Sequence, residues 1–359
     1  MSRRERAADA AGGRPLVSAS LPTVAWLTGL ATDIEIGPSP FTQPPVVVLD
    51  PGGSVLLVTS EDEAGGAADD VGVRAFPGFA VEDVDRGAEA ARLVLAAVAG
   101  ARSLAADLSS LPGSVAAALA RDGVELVDVS TALRTARAVK DPDEVDAIRD
   151  ATLVADRGQA AAREALAAGR SELDVWAATR AAMEEAAGSR LPVLADLVSG
   201  ERTAEVGGPP GKRTLADGDL LLVDLVPRLG AYWADSCATV ALGEPPEEAR
   251  RAHDAARRAL EQAVAMCRPG TRAAEIDATA RAAVAEAGGE YPHHTGHGVG
   301  TEFHEEPRVI PETDRVLEPG MVVALEPGAY AESWGVRVEQ VVLVTDDEPE
   351  ILSGHNLDL

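Results

Sequence analysis

The chain has 359 residues, of which 46% are hydrophobic, so it is long enough to form about two domains with buried cores. Its 32 basic and 59 acidic residues give a net charge of −27, which disfavours nucleic acid and membrane surfaces as partners and favours the attraction of cations. The two cysteines are too few for a disulfide framework, and the N-terminal segment lacks the apolar core of a secretory signal. We therefore expect a cytoplasmic protein.

The first part of the chain, residues 1–139, predicts a small α/β domain. Residues 1–20 are polar and are expected to be flexible. Strands that alternate with a helix are typical of α/β architecture. The predicted elements are strands at 46–49 and 55–59, a helix at 88–99 and a strand at 103–107.

The second part, residues 140–359, begins at Pro142, where neighbouring acidic residues signal the start of a helix. Two helices followed by two strands then occur twice. The predicted helices are 143–168, 172–187, 246–267 and 272–287, and the predicted strands are 220–226, 232–242, 321–326 and 336–344. Helices grouped apart from antiparallel strands predict an α+β fold.

Histidine marks a candidate site, because four of the six histidines lie in one glycine-rich stretch. These four are His293, His294, His297 and His304. Glycine lets the backbone approach a ligand closely, and imidazole binds metal ions or carries protons near neutral pH. Within this stretch His294 is expected to be exposed, as are the remaining two histidines, His253 and His355.

Two aspartates lie inside predicted strands. Asp224 interrupts the apolar strand 220–226, and Asp235 lies in the next strand, after a turn predicted at Pro227–Gly230. In an antiparallel pair both carboxylates can share one face. Two buried carboxylates that face each other repel unless a proton or a cation lies between them.

Two glutamates repeat this arrangement. Glu326 ends an apolar strand, and Glu339 lies within another, where it shares a face with Arg337. Two Asp, two Glu and one His form an oxygen-rich set that suits Mn, Co, Fe or Zn. Such a set can hold two ions about 3.5–4 Å apart and generate a hydroxide nucleophile from a bridging water. The alternative is that each carboxylate lies on a polar strand edge.

At these residues the sequence resembles the pita-bread metallopeptidase family, which includes methionine aminopeptidase, prolidase and aminopeptidase P. The motifs are Thr-Gly-His-Gly-Val-Gly around His297, Phe-His-Glu-Glu-Pro around His304, Leu-Glu-Pro-Gly around Glu326 and Val-Arg-Val-Glu ending at Glu339. They cover about residues 143–345 and are more similar to the proline-specific branch than to methionine aminopeptidase. The preceding α/β segment resembles the creatinase/prolidase N-terminal domain.

The resemblance implies a set of five metal ligands. Asp224 would bind the first ion, Asp235 and Glu339 would bridge both ions, and His297 and Glu326 would hold the second. The implied cofactor is two divalent ions, with Mn expected first and Co, Zn or Fe as alternatives.

The resemblance also implies catalytic roles. Glu326 would act as the acid/base, and His293 and His304 would line the substrate pocket and stabilise the tetrahedral intermediate. Arg337 would orient its strand neighbours or bind a carboxylate. A homodimer is implied by the family as well.

One departure concerns substrate choice. Gly207 stands where proline-specific members usually carry a histidine that assists binding of the substrate. The leading hypothesis is hydrolysis of an Xaa-Pro bond in a short peptide by a metal-bridging hydroxide. The alternatives are hydrolysis of a small non-peptide amide, as in relatives resembling creatinase or ectoine hydrolase, and a binding module without catalysis. Cys237 is expected to be a small packing residue.

Overall fold

The computed structural model describes residues 1–32, 43–78 and 84–359. The chain divides into two compact units, Met1–Arg137 and Ala138–Leu359. Within the described residues, no helix combines the length and the apolar character needed to cross a lipid bilayer.

The first unit is built on one mixed sheet with helices around it. Its helices are α1 (Arg3–Ala10), α2 (Leu21–Thr28), α3 (Arg86–Ala97), α4 (Gly113–Arg121) and α5 (Ser130–Ala136). Its strands are β1 (Leu16–Ser18), β2 (Val46–Leu49), β3 (Val55–Ser60), β4 (Gly72–Phe76), β5 (Ser103–Ala106) and β6 (Glu125–Asp128). Among the described residues these strands form a six-stranded sheet in the order β4-β3-β2-β1-β5-β6.

The prediction that residues 1–20 are flexible is wrong. Helix α1 begins with a capping box, in which Ser2 and Glu5 each bind the backbone of the other. Ala7 is fully buried, and the alanine-rich segment favours a helix. Strand β1 is central to the sheet, because it pairs antiparallel with β2 and parallel with β5. The domain therefore has an opening helix and strand.

The second unit contains two pairs of helices, each followed by strands. Its helices are α6 (Pro142–Glu164), α7 (Glu172–Ala187), α8 (Glu247–Ala265) and α9 (Ala273–Ala285), with a short 3₁₀ helix at Gly200–Glu205. The strands that follow α7 are β7 (Val193–Ser199), β8 (Leu220–Leu229), β9 (Tyr232–Trp233) and β10 (Ser236–Ala241). The strands that follow α9 are β11 (Gly296–Gly298), β12 (Glu305–Val309), β13 (Val322–Leu325), β14 (Gly328–Tyr330), β15 (Gly335–Arg337), β16 (Gln340–Leu343) and β17 (Glu350–Ile351).

Antiparallel sheets carry the residues of interest. In the described part of this unit, β10, β8 and β7 lie side by side with β9 beside β8, and β12-β11-β13-β16-β17 form a second sheet. Strands β14 and β15 form a separate pair. Apolar residues of α8 and α9 pack with those of β13 and β16 in one core, while residues of α6 and α7 pack with those of β7 and β8 in another. The helices thus cover the sheets.

Candidate metal centre

Asp224 lies in β8, and Asp235 lies directly before β10, because the single strand predicted at 232–242 is divided into β9 and β10. Asp224 pairs with Cys237, and Asp235 lies two residues before Cys237, so alternation puts both aspartates on the same side. Strand β8 extends to Leu229 and pairs with β9, which moves the turn to Gly230 and Ala231. The predicted turn at Pro227–Gly230 began too early, because Pro227 is inside the strand.

His297 and Glu326 come from two neighbouring strands of the second sheet. His297 lies in β11 opposite Ala324 of β13, and Glu326 follows the last residue of β13. The Glu326 backbone N–H donates to the carbonyl of Thr295 at 2.9 Å, which holds the two chain segments together. Both side chains are buried.

Glu339 lies where the chain passes from β15 to β16. A single strand at 336–344 was predicted, but the structure divides it into β15 and β16, which belong to different sheets. The Glu339 backbone N–H donates to the carbonyl of Cys237 at 2.9 Å and so ties this crossing point to β10. The side chain is only 1% exposed.

These segments bring the predicted ligands together. One ligand atom each from Asp235, His297 and Glu339 lie within 4.8 Å of one another. Nε2 of His297 lies 3.5 Å from Oδ2 of Asp235 and 3.6 Å from Oε1 of Glu326. Asp224 lies at the edge of this cluster, where its Oδ2 pairs with the Arg337 guanidinium.

Burial and mutual repulsion act on three of the carboxylates. Burial raises the pKa of Asp224 well above its usual value, against the opposing charge of Arg337, and the charge of Asp235 adds to the rise. Burial, together with Asp235 and Asp224, raises the pKa of Glu339 well above its usual value. Burial also raises the pKa of Asp235. Each of these groups therefore favours a proton or a cation beside it.

Glu326 behaves differently from the other carboxylates. Burial opposes its ionisation, but a hydrogen bond from His294 and the charge of Arg337 lower its pKa to about 2. Nε2 of His294 lies 2.7 Å from Oε1 of Glu326. The prediction that His294 is exposed is therefore wrong, because this contact holds it against the cluster. Its position directly after His293 gave no signal that distinguished it from a surface residue.

His293 and His304 flank the cluster. Nδ1 of His293 lies 2.8 Å from the backbone oxygen of His294, and its ring packs edge-on against Tyr291 and Tyr330. The ring of His304 is exposed, and its centroid lies 4.1 Å from that of His297. Desolvation lowers the pKa of each of the two histidines to about 4, so both are neutral near pH 7.

Arg337 is buried, and most of its guanidinium is already bound. Besides the contact with Asp224, its Nη1 donates to the Val206 carbonyl at 2.8 Å and to the Tyr330 hydroxyl at 2.9 Å. Val206 has a φ of 72°, a left-handed conformation that is unusual for a β-branched residue. Arg337 thus organises the surrounding chain and has little capacity left to bind a substrate carboxylate.

Two further histidines were also predicted to be exposed, and the structure corrects both. His253 is 2% exposed, because it lies on the same buried face of α8 as Ala249 and Ala256. The His355 side chain is 1% exposed, with Nδ1 3.2 Å from Oδ1 of Asp156. Contacts between distant segments, which the sequence pattern does not report, bury the His355 ring.

The residues fit divalent metal ions. Both carboxylate oxygens of Glu339 are buried and have no hydrogen-bond donor among the described residues. A buried carboxylate without a donor or cation is costly, and three neighbouring carboxylates increase that cost. Oxygen donors with one imidazole form a set that accepts Mn, Co, Fe or Zn.

This chain is similar to known proteins in both sequence and structure. The sequence profile of metallopeptidase family M24 matches residues 146–346. The probable dipeptidase PepE of Mycobacterium bovis is 38% identical over 260 residues, which cover 71% of this chain and 69% of that protein. The prolidase from Pyrococcus horikoshii OT3 has a TM-score of 0.83 at 26% identity, with 100% of both chains covered. Dipeptidase PepE from Mycobacterium ulcerans has a TM-score of 0.79 at 30% identity, over 100% of this chain and 97% of that one.

The chain belongs to metallopeptidase family M24. The full-length likeness to solved prolidases confirms the predicted α+β fold with a pita-bread catalytic domain, and the resemblance to the proline-specific branch. The chain is therefore a metal-dependent hydrolase of the peptidase class.

Proposed function

We propose that the chain hydrolyses the Xaa-Pro bond of short peptides with two divalent metal ions, Mn first among them. The observation that carries the proposal is the buried Glu339 carboxylate, which has no hydrogen-bond donor among the described residues and faces Asp235 and His297. Relatives named prolidase and dipeptidase support the peptide substrate.

The ions would be held by the five residues predicted from the sequence: Asp224, Asp235, His297, Glu326 and Glu339. When bound, the ions lower the pKa of a water molecule and polarise the scissile carbonyl. A bound cation also stabilises the ionised form of each buried carboxylate and so offsets the burial that raises the pKa of Glu339.

Glu326 is proposed to move the proton of the reaction. Its low pKa keeps it ionised near pH 7, so Oε2 can accept a proton from the attacking water and return it to the leaving nitrogen. Oε1 is held by His294, which fixes the orientation of the carboxylate.

The neutral histidines His293 and His304 are proposed to contact the substrate. His304 is exposed beside His297 and can donate a hydrogen bond to the developing oxyanion, and His293 lines the same side through its packing on Tyr330. Arg337 is proposed to position Asp224 and is not assigned to the substrate, since Asp224, Tyr330 and Val206 already bind it.

A second candidate is the hydrolysis of a small non-peptide amide. It is favoured by Gly207, which replaces the usual histidine, and by the Asp196 carboxylate, which occupies the space beside Gly207. An aspartate in place of a histidine changes both the charge and the hydrogen bonding offered to the substrate.

The test is a comparison of substrates with Mn-loaded protein. Xaa-Pro dipeptides, longer Xaa-Pro peptides and creatine-like amides are assayed with wild type and with Glu339→Ala. We expect wild type to cleave the Xaa-Pro bond and the variant to be inactive. Cleavage of creatine-like amides alone would favour the second candidate, and equal activity of the two proteins would contradict the metal assignment.

A cytoplasmic location and a homodimer are proposed on separate grounds. Cys237 and Cys267 are both free buried thiols, as expected in a reducing compartment. The homodimer rests on the family resemblance.

A further inference from the structure

Asp196 adds a carboxylate beside the metal centre that the sequence pattern did not single out. It lies in β7 directly opposite Asp224 of β8, so the two side chains project from the same face. Its charge acts on Asp224, where it contributes to the raised pKa. Asp196 is only partly buried, which places it at the rim of the cluster.

The space that the Asp196 carboxylate occupies exists because residue 207 is glycine. A Cβ on Gly207 would lie 2.0 Å from Oδ2 of Asp196, so the carboxylate lies over the glycine backbone. Gly207 follows Val206, whose left-handed backbone and contact with Arg337 fix this segment beside Asp224. The carboxylate therefore has a defined position at the site.

The Asp196 charge is not neutralised by the protein. Within the described part of the chain, its carboxylate forms no hydrogen bond and no ion pair. Two cations that lie against the neighbouring residues Val206 and Gly208 are occupied elsewhere, because Arg337 pairs with Asp224 and Arg202 pairs with Glu172. An unpaired carboxylate at the rim of a substrate site attracts a cationic group on the ligand.

We infer that Asp196 is a specificity residue that selects peptides whose first residue carries a positive side chain, Lys or Arg. This inference rests on the proposed function, in which proline fixes one side of the scissile bond and the first residue is the variable side. Specificity is a difference between two affinities, so the charge of Asp196 acts through the ratio between a basic and a neutral substrate.

The test compares Lys-Pro with norleucine-Pro, which matches the lysine chain but lacks its ammonium group. In wild type we expect a higher kcat/KM for Lys-Pro, and in Asp196→Asn we expect the ratio of the two values to fall roughly fivefold. Asp196→Glu should retain a preference for Lys-Pro. Asp254→Asn, which removes an exposed charge from α8, serves as the control and should leave the ratio unchanged.

The ratio is measured within one preparation, so metal occupancy cancels, and elemental analysis confirms that the variants hold the same metal content as wild type. Cleavage of norleucine-Pro by wild type establishes the proposed function independently of the inference. If wild type cleaves norleucine-Pro but Asp196→Asn keeps the wild-type ratio, the inference is overturned and the proposed function stands. If wild type cleaves neither peptide, the proposed function is overturned and the inference falls with it.

Discussion

His304 combines an exposed side chain with a ring that lies beside the proposed ligand His297. Its neutral state near pH 7 follows from a pKa lowered to about 4, so it can donate a hydrogen bond without carrying a charge. It also belongs to a group with His294 and His297 whose ligand atoms lie within 4.8 Å of one another, which is close enough for a shared ion.

These two roles of His304 give different results on substitution. We expect His304→Ala to lower kcat about 100-fold and to leave the metal content unchanged, because it removes a donor to the transition state. Kinetics and elemental analysis of the same preparation provide the measurement. Arg308→Gln, at an exposed neighbour, is the control. A parallel loss of metal would show instead that His304 is a ligand.

Arg337 provides a second prediction at the scale of single residues. It lowers the pKa of Asp224, so its removal should make Asp224 harder to ionise and weaken metal binding. We expect Arg337→Met to raise the metal Kd about 10- to 100-fold, as measured by calorimetric titration of the metal-free protein. Tyr330→Phe keeps the guanidinium and should have a smaller effect. An unchanged Kd in Arg337→Met would refute the positioning role.

Asp196 and His294 show why some residues of the site could not be predicted from the sequence. Asp196 lies in β7, a strand that was not predicted, and its importance depends on the register with Asp224. His294 is distinguished only by its contact with Glu326. Strand register and side-chain contacts are set by pairing between distant segments, which a local pattern does not contain.

At the scale of elements, local signals predicted helices better than strands. The helix predicted at 172–187 matches α7, because a capping box at Ser171 and a left-handed Gly188 mark its two ends. The strand predicted at 336–344 is divided, because Val338 and Glu339 carry the chain from the β14–β15 pair into the sheet of β13. That division is what places Glu339 beside Asp235 and His297.

Helix α8 carries a buried histidine whose titration should affect stability. Desolvation and the charge of Arg257 lower the pKa of His253 from 6.5 to about 4 in the folded protein. Between these pH values the unfolded chain binds more protons at this position than the folded one, so stability is lost as the pH falls.

The pH dependence of the free energy of unfolding is compared between wild type and His253→Gln. Below pH 6.5, the free energy of unfolding of wild type should fall more steeply than that of the variant, by up to about 1.4 kcal/mol per pH unit. Urea unfolding between pH 7 and pH 5 measures the difference. Gln262→His, which adds an exposed histidine to the same helix, is the control and should leave the slope unchanged. Parallel curves for wild type and His253→Gln would contradict the burial of an uncharged ring.

At the scale of the whole molecule, the α+β fold was predicted from helices grouped apart from antiparallel strands, and the family was predicted from motifs that are short and contiguous. The helix at the start of the chain was not predicted, because a polar segment with only small alanines among its apolar residues looks like a flexible terminus. Packing reveals its order, since Ala7 and Leu16 are both fully buried in one core.

The surplus of acidic residues and the buried cluster of carboxylates both favour the binding of cations. A chain with a net charge of −27 attracts cations in general, and four carboxylates around one imidazole favour cation binding at one position. The central claim is that bound divalent cations offset the free-energy cost of burying these carboxylates beside one another.

The most direct test of this claim is the metal content of the purified Mn-loaded protein, measured by elemental analysis. We predict about two ions per chain in wild type and fewer than one in Glu339→Ala. Glu318→Ala is the control, because it makes the same glutamate-to-alanine change at an exposed position of the second unit. The control should retain the wild-type content. No bound metal in wild type, or equal metal in wild type and Glu339→Ala, would contradict the account.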